Sequence, residues 1–369
     1  MNAPAFKSRV LICCGSGGVG KTTVAAAAAL AFSQAGQRAV VITIDPARRL
    51  GEALGIDSLT DAPQLVVRNG SGELWAASLE PTEVFDRLVS TLAPTPALRE
   101  SILRNRLYRE LSTALAGSRE LIALERIFEL AADPRFDVIV LDTPPTQHAL
   151  DFLDAPERVA RLLDGSLMRW FSRPAPLTPL SLLRDSSALA FKAIQRLTGM
   201  QVFADIATFL GLFSGLFEGF RKRAAGVQSL LRGPASAFVL VATPSEAALR
   251  QARAFEQRLS EEGYAIAAIV ANRLECGGGD ESLPPASLSL TSDDQMLLAD
   301  LVSVANLEER LQAIHASRLH RHSSEQRFLD ALAALGLPVV RVPRLSADVA
   351  APTDLDALAR ALGDLVRQP

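Results

Sequence analysis

The chain has 369 residues, 49% of them hydrophobic, enough to bury a large core as one α/β domain or as a core with an inserted subdomain. A formal net charge of -3 and a pI near 5.9 leave no basic footprint for nucleic acid. The only cysteines are Cys13, Cys14 and Cys276, which offer neither a disulfide framework nor a C-x-x-C metal clip.

Residues 1–8 lack the apolar core of a signal peptide, and no stretch reaches the ~20 apolar residues of a spanning helix. A cytoplasmic protein without an integral membrane segment is expected. In chain order, Val10-Leu11-Ile12-Cys13-Cys14 reads as a buried parallel strand. Gly15-Ser16-Gly17-Gly18-Val19-Gly20-Lys21-Thr22 follows and matches the phosphate-loop pattern G-x-x-x-x-G-K-[ST], with Thr23 and an alanine-rich helix behind it. The glycines let backbone N–H groups converge on phosphate oxygens at a helix N-terminus. Lys21 is placed to reach the β- and γ-phosphates, and the Thr22 hydroxyl to hold magnesium. The expected ligand is a nucleoside triphosphate.

Residues 39–44 predict a second core strand ending at Asp45-Pro46, and 74–79 a shorter one before a helix opening near Pro81. Residues 136–141 predict a third core strand, and 237–242, 266–271 and 339–342 three more, the last closed by Pro343. Strands alternating with helical segments predict an α/β fold, a mostly parallel sheet covered by helices. Residues 1–150 and 234–369 would form this core. The stretch 151–233 contains no convincing strand and predicts an inserted α-helical subdomain, and 276–298 has the composition of a surface loop.

Ligands of such sheets sit beyond the carboxyl ends of the strands, where the remaining candidates fall. Asp142 follows four apolar residues, the position of an aspartate in the magnesium shell, acting through water. Asp45 is placed to orient or deprotonate an attacking water, which makes Asp45 and Lys21 the catalytic candidates. Asn272 ends its strand where it can hydrogen-bond the base. Asn272-Arg273-Leu274-Glu275 loosely follows the guanine-reading N-K-x-D, but lacks its lysine and aspartate, so adenine is expected.

Within the helical stretch, Phe203, Phe209, Phe213, Phe217 and Phe220 recur at near-helical spacing, and Gly211, Gly215 and Gly219 form a small-x-x-x-small series. Two readings stay open: a subdomain packing its own core, or a groove for an apolar client helix. Leu355, Leu358, Leu362 and Leu365 mark a C-terminal helix packed on the core, and His315, His320 and His322 read as surface residues.

The segments around 15–23, Asp45-Pro46-Ala47 and Leu141-Asp142-Thr143-Pro144-Pro145-Thr146-Gln147-His148 resemble the arsenite-pump ATPase and guided-entry tail-anchored-protein targeting family. Further matches at 74–81, 215–221, 270–273 and 342–345 extend the resemblance over nearly the whole chain in order. It implies a P-loop ATPase with a deviant Walker A loop, using ATP and Mg2+ and working as a dimer. It also implies that Asn272 and the turn at Pro343 contact adenine. Family members carry a signature lysine after the first loop glycine, reaching across the dimer, whereas this chain has Ser16. A homodimer would lack both trans lysines, so a heterodimer with a related chain that keeps the lysine is an alternative. Arg48 and Arg49 are candidate substitutes. The metalloid-binding cysteines of the arsenite pump and the zinc C-x-x-C of the targeting factors are both missing, so arsenite pumping has no support. Two functions remain: a nucleotide-switched carrier for a hydrophobic helical client, or a regulatory ATPase gating a protein partner.

Overall fold

In a computed structural model, the described residues are 8–44, 49–106, 108–109, 119–143, 215–275, 307–345 and 349–366, together with 209, 211–213 and 293. Asp45 to Arg48, most of 151–233 and nearly all of 276–298 lie outside them. Eight strands form one sheet: β1 (Val10–Gly15), β2 (Arg38–Thr43), β3 (Gln64–Asn69), β4 (Gly72–Ser78), β5 (Val138–Asp142), β6 (Ser236–Ala242), β7 (Ile266–Leu274) and β8 (Val339–Pro343). Their order is β3-β4-β2-β5-β1-β6-β7-β8, and every pairing is parallel except the β3–β4 hairpin at one edge. β1, β5 and β6 are buried along their whole length, as strands covered on both faces must be, and their sequences are accordingly almost continuously apolar.

The edge strand β3 is absent from the predicted set. Its residues alternate only weakly between inside and outside, so the apolar pattern is faint. The local signal lay in the turn. Gly70 adopts φ 61° at the first position of a two-residue loop, where a positive φ lets the hairpin twist match its strands.

Helix α1 (Lys21–Gln34) is buried nearly all round, which explains its run of alanines. One side lies on β2, β4 and β5. The other is covered by the 3-10 turn Pro352–Leu355 and two short C-terminal helices, 356–361 and 363–366. Leu355, Leu358, Leu362 and Leu365 are all buried there, in the expected packing role but from broken turns instead of one helix.

A second, smaller apolar core stands apart from the sheet. It joins Leu88 and Val89 of α3 (Pro81–Leu92), Ile102 of α4 (Pro96–Leu103) and Tyr108 to Phe209, Leu216 and Phe220. Phe213 sits between Phe209 and Phe220 with ring centroids 5.1 and 5.3 Å apart, an energetically favourable aromatic cluster. Among the described phenylalanines of the series, the packing reading therefore applies to Phe209 and Phe220. Two of the three glycines face helices, since a Cβ on Gly215 would lie 3.3 Å from Leu98 and one on Gly219 2.9 Å from Leu92. This second core thus draws on α3 and α4 as well as on residues of the predicted stretch.

Ion pairs join the neighbouring helices to one another and to the segment that precedes β3. In α5 (Arg119–Ala131), Arg126 donates to the Asp61 carbonyl at 2.8 Å, while Arg87 of α3 meets the Asp61 carboxylate at 2.6 Å. Glu125 of α5 pairs at 2.6 Å with Arg223 of α6 (Phe217–Arg232), whose guanidinium also lies 4.6 Å from the Phe128 ring centre. Burial raises the Glu125 pKa, and Arg223 opposes that rise. His315, His320 and His322 lie exposed or half-buried along α8 (Leu307–Ala333), which follows α7 (Glu246–Glu261) and β7. Among the described residues, no group of three or more His, Cys, Asp or Glu could hold a metal, and no helix is long and apolar enough to cross a membrane.

Candidate active site

Beyond the carboxyl ends of the parallel strands lies a cleft of about 1000 Å³, lined by several of the described candidates, while Gly15, Ser16, Gly17, Val19 and Asp142 lie outside its lining. Gly18, Gly20, Lys21, Thr22 and Thr23 line it from the loop and the start of α1, Thr143 from just beyond β5, and Asn272, Arg273 and Pro343 from β7 and β8. The size suits a nucleotide.

The loop is built on close approaches. At Gly15 any Cβ would collide with the Val241 carbonyl oxygen of β6. Gly20 adopts φ 88°, and a Cβ there would stand 2.5 Å from Asn272 Nδ2. That amide donates to the Val19 carbonyl at 2.8 Å, and its Oδ1 accepts from the Arg273 N–H at 2.9 Å. Asn272 is 4% exposed, so it braces the loop from β7 while lining the cleft. Arg273 adopts φ 63° at an irregularity in the β7–β8 pairing, the kind of bulge that re-aims side chains beside a site.

Lys21, 5% exposed, donates to the carbonyls of Gly15 at 3.0 Å and Ser16 at 2.9 Å. Burial lowers its pKa, and the nearby Asp142 charge partly restores it. Asp142, 1% exposed, accepts from the hydroxyls of Thr22 at 2.8 Å and Thr43 at 2.9 Å on the same oxygen, Oδ2. Register explains the convergence, because Asp142 lies opposite Cys13 on one side and Thr43 on the other. Thr22, Thr43 and Asp142 form a hard-oxygen set of the kind magnesium takes. Thr43 was not among the predicted site residues. Its signal was its place at the last residue of a strand bordering the loop strand. Thr143 was also unassigned, and its hydroxyl donates to the Cys13 carbonyl at 2.7 Å.

Cys13 and Cys14 are buried thiols, and burial pushes the Cys14 pKa up to about 12 and Cys13 well above its usual value. Neither forms a thiolate at neutral pH, which removes the usual basis of soft-metal binding. Glu275, at the position of the guanine reader, is spanned by two guanidinia, Arg344 at 2.9 Å and Arg321 at 3.0 Å. Its carboxylate is therefore already committed within the protein.

The family model described as anion-transporting ATPase matches residues 8–276, which includes the loop, both brackets of Asp142 and the Asn272 brace. The chain belongs to the anion-transporting ATPase family. Its similarity extends to "ATPase GET3" of Malassezia globosa, 26% identical over 72% of this chain and 72% of that protein. With "ATPase GET3B" of Arabidopsis thaliana it shares 26% identity over 78% of this chain and 69% of that one. An "ATPase ASNA1 homolog" of Babesia bovis is 33% identical, though the match spans only 42% of this chain and 40% of the relative's length. The chain is thus an ATPase, and this cleft is its candidate nucleotide site.

The bracing of this ATPase's loop makes a graded prediction. Gly18 and Gly20 both have positive φ, but a Cβ on Gly18 meets nothing within 4 Å. Gly18→Ala is expected to cost about 1–2 kcal/mol of backbone strain alone. Gly20→Ala adds the collision that breaks the Asn272–Val19 bond, so its melting temperature and ATP affinity should both fall further. Equal losses in thermal unfolding and ATP titration would show that the brace contributes nothing.

Proposed function

We propose that this ATPase is a magnesium-dependent, dimeric switch in which ATP turnover drives capture and release of an apolar helical client by the helical unit. The observation carrying this reading is the small second apolar core, around whose buried Phe209 and Phe220 the side chains of Leu92, Leu98, Leu212 and Phe213 stay only partly buried, a surface suited to an apolar helix. The resemblance to the tail-anchored-protein targeting family points the same way.

In the nucleotide cleft, Thr22 and Asp142 would hold Mg2+, Asp142 through water, and the ion would neutralise β/γ-phosphate charge. Gly15, Ser16, Gly17, Gly18, Val19 and Gly20 would present their N–H groups to the phosphates, with Lys21 reaching the γ-oxygens and Thr23 near the α-phosphate. Asn272 and Pro343 would border adenine. Asp45 would accept a proton from water as its oxygen adds to the γ-phosphorus and the bridging bond leaves with ADP. The dimer would be a homodimer, or a heterodimer with a related chain that retains the signature lysine.

A light-scattering assay tests the client reading. A synthetic apolar helical tail-anchor peptide should stay dispersed with the protein and precipitate without it, and exchanging ATP for ADP should change the protected fraction. A peptide that precipitates equally in both states would leave regulation of a protein partner as the function.

A further inference from the structure

We infer that Arg49 supplies a second cation to the transferring phosphoryl group, from within the same chain. The inference rests on ATP hydrolysis in this cleft and not on the client or the dimer. The loop from Gly15 to Thr23 carries one cation, Lys21, because Ser16 is neutral. A magnesium–triphosphate complex remains anionic, and negative charge moves onto the bridging oxygen as the γ-phosphorus bond breaks. Lys21 alone does not match that charge, and Glu52 and Asp142 add to it.

Helix geometry aims Arg49 at the deficit. The short helix α2 (Arg49–Leu54) starts six residues after Thr43, whose hydroxyl sits on Asp142. Arg49, Glu52 and Ala53 line the cleft together with Lys21 and Thr22. These positions are i, i+3 and i+4, one face of a helix. Leu50 and Leu54 turn the opposite way into the core. Arg49 itself is exposed in the cleft, and its positive charge is felt at Lys21, whose pKa it helps to lower. The other described guanidinia of the lining, Arg273 and Arg344, lie beside Asn272 and Pro343, and Arg344 is paired with Glu275. Among the described arginines of the lining, Arg49 is the one on the loop side.

In the step, water oxygen bonds to the γ-phosphorus and the β–γ bridging bond breaks with its electron pair on ADP. The guanidinium accepts no proton and forms no bond. It stabilises charge that is larger in the transition state than in bound ATP, so its loss should fall on kcat and spare KM.

The test compares Arg49→Ala and Arg49→Lys in the full chain by steady-state ATP hydrolysis and by binding of ADP with aluminium fluoride. Arg49→Ala should lower kcat by roughly 10²–10³-fold, the scale of one lost charge-stabilising donor, with KM changed by less than about threefold. It should weaken ADP–aluminium fluoride and leave ADP alone unaffected, and Arg49→Lys should recover part of both. A wild-type kcat with wild-type aluminium fluoride binding in Arg49→Ala overturns the inference, as does a loss confined to KM. Either result leaves the ATPase and client readings standing.

Discussion

Lys21→Ala is expected to reduce ATP hydrolysis by at least about 10³-fold while leaving the protein folded. Lys21 is the cation carried by the proposed phosphate loop, and a preorganised charge at a transferring phosphoryl group is among the largest single contributions to such a rate. Stability should respond differently. Burial lowers the Lys21 pKa, so the charged form is disfavoured where it stands, and relief of that cost offsets what the Asp142 carboxylate loses when Lys21 is removed. The protein should melt within a few degrees of the wild type as its activity disappears. A folded-state pKa below the unfolded value also makes the lysine's contribution to stability rise with pH through the interval below 10.5. Loss of its charge over that interval should weaken ATP binding at the same time. Turnover in Lys21→Ala within tenfold of the wild type would remove Lys21 from the mechanism.

Asp142→Asn and Asp45→Asn should fail in different ways. The asparagine carbonyl at 142 can still accept from Thr22 and Thr43, which keeps the loop in place but deletes the charge that attracts a cation. The Mg2+ concentration for half-maximal activity should rise by about 10–100-fold, the usual cost of losing a group that supports a metal. Asp45→Asn should keep the wild-type magnesium requirement and slow turnover about a hundredfold or more, as for a lost general base. Magnesium titrations with phosphate release as the readout separate the two. An unchanged magnesium midpoint in Asp142→Asn, or a wild-type rate in Asp45→Asn, would refute the corresponding role.

The centre of the fold is legible in sequence because its strands are apolar on both faces, and the loop because glycine, lysine and threonine occur there at a spacing dictated by phosphate geometry. The edge strand β3 and the short helix α2 are harder to read. One is half-covered and the other too short for its period to emerge. The site residues missed were those defined by adjacency in space. Thr43 and Asp142 meet only because β2 and β5 are neighbours, and nothing local in either strand announces the pairing. Asn272 was read as a base contact from its place at a strand end. Its bond to Val19 depends on the approach of β7 to the loop, which only the three-dimensional arrangement reveals. The glycines of the phenylalanine-rich segment were noticed, but their partners Leu92 and Leu98 precede it by more than a hundred residues.

The covering of α1 by residues 352–366, together with the Asn272 brace, has a consequence during synthesis. The phosphate loop emerges from the ribosome well before the parts that hold it, since Asn272 follows Val19 by 253 residues and the segment covering α1 comes later still. A nascent chain that already contains Lys21, Thr22 and Asp142 still lacks both the amide that fixes Val19 and the leucines that close over the alanine helix. Long-range closures of this kind are slow and leave apolar surface uncovered in the meantime. The motif that most plainly declares nucleotide binding therefore becomes competent for it only after Asn272 and residues 352–366 have joined it.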